Sequence, residues 1–205
     1  MNDMIVIGVT GPTGSGKSTV CENLIKNGYS VIDADKIAKK VIEESLSCKT
    51  SLADYFGQDI LDENNNLIRK ILSQKAFLNK ENVKMLNEIT HPIIKDAIKS
   101  EIDKYKLEMK NVIILDVPLL FETGLDVFCD YTIAIIAGKD IRKERLIKRD
   151  NLSEELINLR ISAQNKDEYY KNNADYILSN NGDLNDIFKS TKLVLSKIIG
   201  EENET

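Results

Sequence analysis

Five short apolar runs mark the chain, at residues 4–9, 30–33, 112–116, 131–136 and 175–178. The third, Val112-Ile113-Ile114-Leu115, is continuous rather than alternating, as expected of a parallel strand covered on both faces. Helical patterns separate the runs, so the order predicts an α/β fold with a doubly wound five-stranded parallel sheet in a single domain. The spacing is uneven. Between the second and third runs lies a long segment of helical pattern, carried by Ile37-Ala38-Val41-Ile42, Leu67-Ile71-Leu72, Leu86-Ile89 and Ile93-Ile94-Ala97-Ile98. Asp62-Glu63-Asn64-Asn65-Asn66 reads as a polar turn within it. A second, strongly charged insertion separates the fourth and fifth runs. The expected organisation is a core of residues 1–35, 111–137 and 174–200, a helical insertion over 36–110 and a lid over 138–173. The acidic end, Glu201 to Thr205, is expected to fray.

The first run leads into Gly11-Pro12-Thr13-Gly14-Ser15-Gly16-Lys17-Ser18, and a helical pattern follows. Strand, loop and helix around G-x-x-x-x-G-K-[ST] define a phosphate-binding loop. Glycines let successive N–H groups turn toward one anion, and the next helix adds its own unpaired N–H groups and positive dipole end. Lys17 is expected to reach the β- and γ-phosphates of ATP, and the Ser18 hydroxyl to ligate Mg²⁺. The fold is thus expected to be the three-layer P-loop NTPase fold.

Other candidates gather at the ends of the strands. Asp33 and Asp35, in Val31-Ile32-Asp33-Ala34-Asp35, fall at the carboxyl end of the second run, the edge where open parallel sheets bind ligands. Alternation sends them to opposite sides, and Asp35 is the choice to orient and deprotonate an attacking hydroxyl. Asp33 serves equally well as a cap or structural residue. Asp116 ends the third run and is expected to act on Mg²⁺ through a water. After it, Pro118 keeps the chain out of the sheet, and Leu119, Leu120 and Phe121 either line an acceptor pocket or belong to the core.

Arginine is scarce and unevenly placed: of five, Arg142, Arg145, Arg149 and Arg160 lie in the second insertion. Arg142, Arg145 and Arg149, at i, i+3 and i+7, are expected on one helix face, where guanidinium forks grip phosphate oxygens. The alternative is a solvated face paired with Asp140, Glu144 and Asp150. Arg69, in the first insertion, meets either an acceptor phosphate or a surface carboxylate. His91-Pro92 is expected to end or kink a helix, with His91 structural or lining a ligand. Asn180-Asn181-Gly182-Asp183 reads as a turn at the ligand edge of the sheet, able to meet the nucleotide base.

A net charge of −5 with scattered lysines argues against a nucleic-acid partner. With 42% hydrophobic and 30% charged residues, the composition is that of a soluble protein. The three cysteines are far apart and without metal spacing, as expected of reduced thiols. No leader pattern precedes the first run and no apolar run approaches membrane-spanning length, so a cytoplasmic protein is expected, monomeric or weakly self-associating.

Taken together, these segments resemble the dephospho-coenzyme A kinase family over nearly the whole chain. The resemblance is carried by Thr10-Gly11…Gly14-Ser15-Gly16-Lys17-Ser18-Thr19-Val20, Val31-Ile32-Asp33-Ala34-Asp35 and Ile89-Thr90-His91-Pro92. It continues through Val117-Pro118-Leu119-Leu120-Phe121-Glu122, Arg145-Leu146…Arg149-Asp150, Arg160-Ile161…Gln164 and Ala174-Asp175…Asn180-Asn181-Gly182. Leu67-Ile68-Arg69 stands where the family has Leu-Asp-Arg, so only the arginine carries over. The resemblance implies transfer of the ATP γ-phosphoryl to the ribose 3′-hydroxyl of dephospho-coenzyme A. It implies Asp35, Lys17, Arg145 and Arg149 as catalytic residues, with Gly11, Gly14, Ser15, Gly16, Ser18, Thr19 and Asn180 also around ATP. Thr10, Asp33, Arg69, His91 and Pro118 to Phe121 would meet the acceptor. Another P-loop kinase acting on a nucleoside or nucleotide is the nearest alternative. A GTP switch is disfavoured because Asn165-Lys166-Asp167 misplaces the aspartate of a guanine-reading motif.

Overall fold

A computed structural model describes residues 4–200. In chain order the elements are β1 (Ile5–Thr10), α1 (Lys17–Lys26), β2 (Ser30–Asp33), α2 (Ala34–Glu44), α3 (Leu46–Phe56), α4 (Arg69–Ala76) and α5 (Lys80–Leu107). Then follow β3 (Val112–Asp116), β4 (Tyr131–Ile136), α6 (Lys139–Asp150), α7 (Glu154–Ser162), α8 (Asp167–Asn173), β5 (Tyr176–Ser179) and α9 (Leu184–Ile199). The five expected strands are present to within a residue, and the fraying expected of Glu201–Thr205 lies outside the described residues. The chain divides into two compact units, Met1–Asp33 with Lys104–Thr205, and Ala34–Asp103.

The first unit holds a five-stranded sheet in the order β2-β3-β1-β4-β5, every pair parallel. Alternation along each strand splits its side chains between two cores. Ile7, Val9, Ile114, Ile133 and Ile135 face Val20, Cys21 and Leu24 of α1 and Ile187, Leu195 and Ile198 of α9. Ala134 and Ile136 point to the opposite face, against Tyr170 of α8. With both faces covered, the strands must be apolar throughout, which is why they read as continuous runs. Gly8 in β1 answers a close approach: a Cβ there would stand 2.7 Å from Cys129 Sγ and 2.9 Å from a Leu120 methyl.

The register fixes the ligand edge. Asp33 pairs with Asp116 across β2 and β3, and Asp116 pairs with Val9 across β3 and β1. Both acids therefore share one sheet edge with the loop that leaves β1.

In the second unit, α3 and α4 enclose a core of Cys48, Leu52, Ala53, Phe56, Ile60, Leu72 and Ala76, against which Leu86, Ile89 and Ile93 of α5 pack. Of the end or kink expected at His91-Pro92, the end does not occur: α5, 28 residues long, runs through Pro92. Leu86, Ile89 and Ile93 keep helical spacing across the proline, so burial on that face outweighs the lost hydrogen bond. Pro92 and Glu88 lie on the exposed side, where the carbonyl that proline leaves unbonded is open to solvent. The Asp62–Asn66 turn forms as expected, with Asp62 Oδ1 accepting the N–H groups of Asn64 and Asn66 at 2.9 and 2.7 Å.

Candidate active site at the phosphate loop

The loop between β1 and α1 is shaped by what packs behind it. Gly11, Gly14 and Gly16 have φ of 147°, 78° and 96°. A Cβ on Gly11 would come within 2.1 Å of the Ile135 carbonyl oxygen, and one on Gly16 within 2.1 Å of Asn180 Nδ2. The glycines thus supply both backbone angle and room for neighbouring segments. Gly16 is the N-cap of α1, so the first helical N–H groups open directly at the loop.

Three side chains tie the loop from outside. Arg145 of α6 donates through Nη1 to the Ser15 carbonyl at 3.3 Å, and through Nη2 to the Asn180 carbonyl at 3.0 Å. Asn180, buried just past β5, donates through Nδ2 to the same Ser15 carbonyl at 2.7 Å. In a trans peptide C=O and N–H point oppositely, so donors on the Ser15 oxygen turn the Gly16 N–H away from them and strengthen it as a donor. The third tie is Gln164 Oε1, which accepts the Thr13 N–H at 3.0 Å. Ser15 Oγ is buried and finds no hydrogen-bond partner, an unsatisfied polar atom within the cradle.

Lys17 opens α1 and forms an ion pair with Asp116 at the end of β3, both side chains largely buried. The carboxylate expected to work through a metal-bound water therefore also holds the loop lysine. Cys21, one turn along α1, is pushed far above its ordinary range by burial and by the Asp116 charge. It is held as a neutral thiol. Ser18 is exposed in the first turn of α1 and Thr19 half-buried beside it. A hydroxyl and a carboxylate are the hard oxygen donors that Mg²⁺ accepts alongside phosphate and water.

The three arginines of α6, expected on one face, meet three fates. Arg142 is buried, 3.9 Å from Asp167, with its backbone packed on Gly14. Burial lowers its affinity for a proton. Arg145 reaches the loop. Arg149 places its fork on Asp150, at 2.6 and 3.1 Å, and Arg160 joins the same carboxylate at 3.0 Å. Neighbouring acids account for this split: the spacing supplied a face, and Asp150 and Asp167 divided it.

Of the remaining candidates, Thr10 is fully buried and its hydroxyl donates to the Pro118 carbonyl at 3.0 Å, tying β1 to the segment after β3. Leu120 is a core residue, Leu119 is exposed, and Phe121 packs edge-on to Tyr169 of α8. Asp35 sits in the first turn of α2, two residues past the end of β2. The alternation argument applied to it does not hold, because the chain is helical from Ala34. In the second unit, Arg69 at the start of α4 pairs with Glu43 at 2.7 Å. His91 lines a shallow groove of about 670 Å³ along α5 with Lys84, Asn87 and Lys95. Burial and the Lys95 charge hold its pKa below the ordinary value. Sequence reasoning missed the loop ties of Gln164 and the structural use of Asn180. Long-range side-chain bonds to backbone carry no periodic signal, although both residues fall in segments already noted.

The dephospho-CoA kinase family model matches residues 5–186, which includes the phosphate loop, Asp35, Arg145 and Asn180. The chain belongs to the dephospho-CoA kinase family. A Fusobacterium nucleatum dephospho-CoA kinase is 41% identical over 189 residues, covering 92% of this chain and 96% of that one. Among solved structures, the dephospho-CoA kinase of Campylobacter jejuni has 30% identity and a TM-score of 0.72, covering 95% of this chain and 97% of that one. A Thermus thermophilus protein, also 30% identical, reaches a TM-score of 0.80 over 95% of this chain and 98% of its own. The fold is the α/β fold of these kinases, and the family is one of ATP-using transferases acting on a hydroxyl group. Among the described residues, no helix is long and apolar enough to cross a membrane.

Proposed function

We propose that this protein transfers the γ-phosphoryl group of ATP to the 3′-hydroxyl of the ribose of dephospho-coenzyme A, giving coenzyme A and ADP. The observation that carries the reading is the phosphate loop itself: three glycines at positive φ leading into α1, with the Ser15 carbonyl engaged from behind by Arg145 and Asn180. Family membership supplies the acceptor.

The roles follow from the chemistry. Lys17 and the amides of Gly16 to Thr19 carry the charge of the β- and γ-phosphates. Ser18, with Asp116 through water, would hold Mg²⁺, which neutralises phosphate charge when bound. The acceptor oxygen attacks the γ-phosphorus, the bond to the bridging oxygen of ADP breaks, and Asp35 takes the hydroxyl proton. Residues 36–110 hold the acceptor, with Asp33, Arg69, His91, Pro118, Leu119 and Phe121 as its contacts. Residues 138–173 act as the lid, with Arg145 and Arg149 as its cations, and exclude water that would otherwise hydrolyse ATP.

ADP release measured separately with dephospho-coenzyme A, adenosine, AMP and pantetheine tests the reading. Strong stimulation by the first alone is expected. An equal response to adenosine would favour a nucleoside kinase instead.

A further inference from the structure

The phosphate loop has two limbs, and they are anchored differently. The second, Gly14 to Gly16, is held through its carbonyls by Arg145 and Asn180. The first, Gly11-Pro12-Thr13, has fewer handles: Pro12 has no N–H, and its carbonyl is engaged within the loop by Ser15 N at 3.1 Å. The Thr13 N–H leaves the loop and donates to Gln164 Oε1 at 3.0 Å, across 151 residues of chain. Gln164 is half-buried just after α7, and the next residue secures that stretch independently, Asn165 Nδ2 donating to Glu122 Oε1 at 2.7 Å.

We propose that Gln164 is a positioning residue for the nucleotide: by holding the Thr13 amide it sets the direction of the first limb and so the aperture through which the phosphates enter. Its chemistry suits that place. A neutral amide oxygen accepts the N–H without setting a negative charge beside polyphosphate, and its tether to the lid segment ties loop shape to lid position. A loop whose donors must stay aligned to within about 0.5 Å responds to the loss of one such tie. The inference rests on the loop being the ATP site.

The test uses the full chain and its Gln164→Ala, Gln164→Glu and Asn165→Ala variants, with ATP affinity by calorimetry, KM for ATP and for dephospho-coenzyme A, and the melting temperature. Gln164→Ala is expected to weaken ATP binding and raise its KM by about 5- to 10-fold, as for one lost hydrogen bond. The KM for the acceptor should stay within about twofold, and the melting temperature within about 3 °C. Gln164→Glu keeps an acceptor oxygen and should melt with the parent, yet bind ATP at least as weakly as the alanine variant, because its charge faces the phosphates. A merely structural role predicts instead that Glu restores both. Asn165→Ala should bind ATP within about twofold of the parent. The inference is overturned if Gln164→Ala binds ATP like the parent, if Glu restores affinity, or if Asn165→Ala loses as much as Gln164→Ala. A parent that binds no ATP would sink the functional reading and this inference together, a result distinct from any of these.

Discussion

Asn180→Asp changes the chemistry of one atom behind the phosphate loop while conserving volume. The Nδ2 donor, 2.7 Å from the Ser15 carbonyl in a buried setting, becomes an oxygen facing an oxygen. Removing one partner of a buried hydrogen bond costs about 1–3 kcal/mol. The new carboxylate also competes for Arg145, already 3.4 Å from Asn180 Oδ1, and draws it from the Ser15 oxygen it meets at 3.3 Å. Both donors that polarise the Ser15–Gly16 peptide are then weakened. A net loss of about 2 kcal/mol corresponds to a melting temperature lower by roughly 4–8 °C for a chain of this size. The Gly16 N–H loses its alignment as well, so ATP affinity should fall by about tenfold or more, 1.4 kcal/mol per factor of ten. Thermal melts and calorimetry with ATP separate the two effects. Unchanged ATP affinity in a protein that melts earlier would refute the claim that Asn180 acts on phosphate through the peptide, and would leave it a packing residue.

Three further outcomes follow from the same geometry. Asp35→Asn should abolish phosphoryl transfer while ATP affinity stays within about threefold, whereas Lys17→Ala should lose both; collapse of ATP binding in Asp35→Asn would move that residue into the nucleotide site. Gly8→Ala sets a methyl 2.7 Å from Cys129 Sγ and 2.9 Å from Leu120, and should destabilise by about 1–3 kcal/mol in denaturant titration, with no change expected if the two side chains give way freely. Pro92→Ala restores an N–H on the exposed side of α5 and should stabilise by about 1–2 kcal/mol, read as a higher melting temperature; a decrease would mean that the proline itself packs usefully.

The sheet was legible in the sequence because burial on both faces imposes unbroken apolar runs, from Val112–Leu115 to Tyr131–Ile136. The phosphate loop was legible because three glycines, a lysine and a serine at fixed spacing have few other uses. Pro92 does not end its helix, because local backbone preference omits the tertiary burial of Ile89 and Ile93 on either side of it. The partners of Arg142 and Arg149 were not legible, because helical spacing assigns a face and says nothing of which of them meets Asp167 or Asp150. The ties made by Gln164 and Asn180 were hidden for a related reason: each joins loop backbone to a residue more than a hundred positions away, a relation that only folding creates.

The most direct measurement of the central claim is the product itself, from ATP and dephospho-coenzyme A with the purified protein, identified by phosphorus NMR. The account predicts one ADP for each new phosphomonoester, located on the ribose 3′-oxygen. ADP accompanied by free inorganic phosphate, or a phosphate on any other hydroxyl, would contradict it.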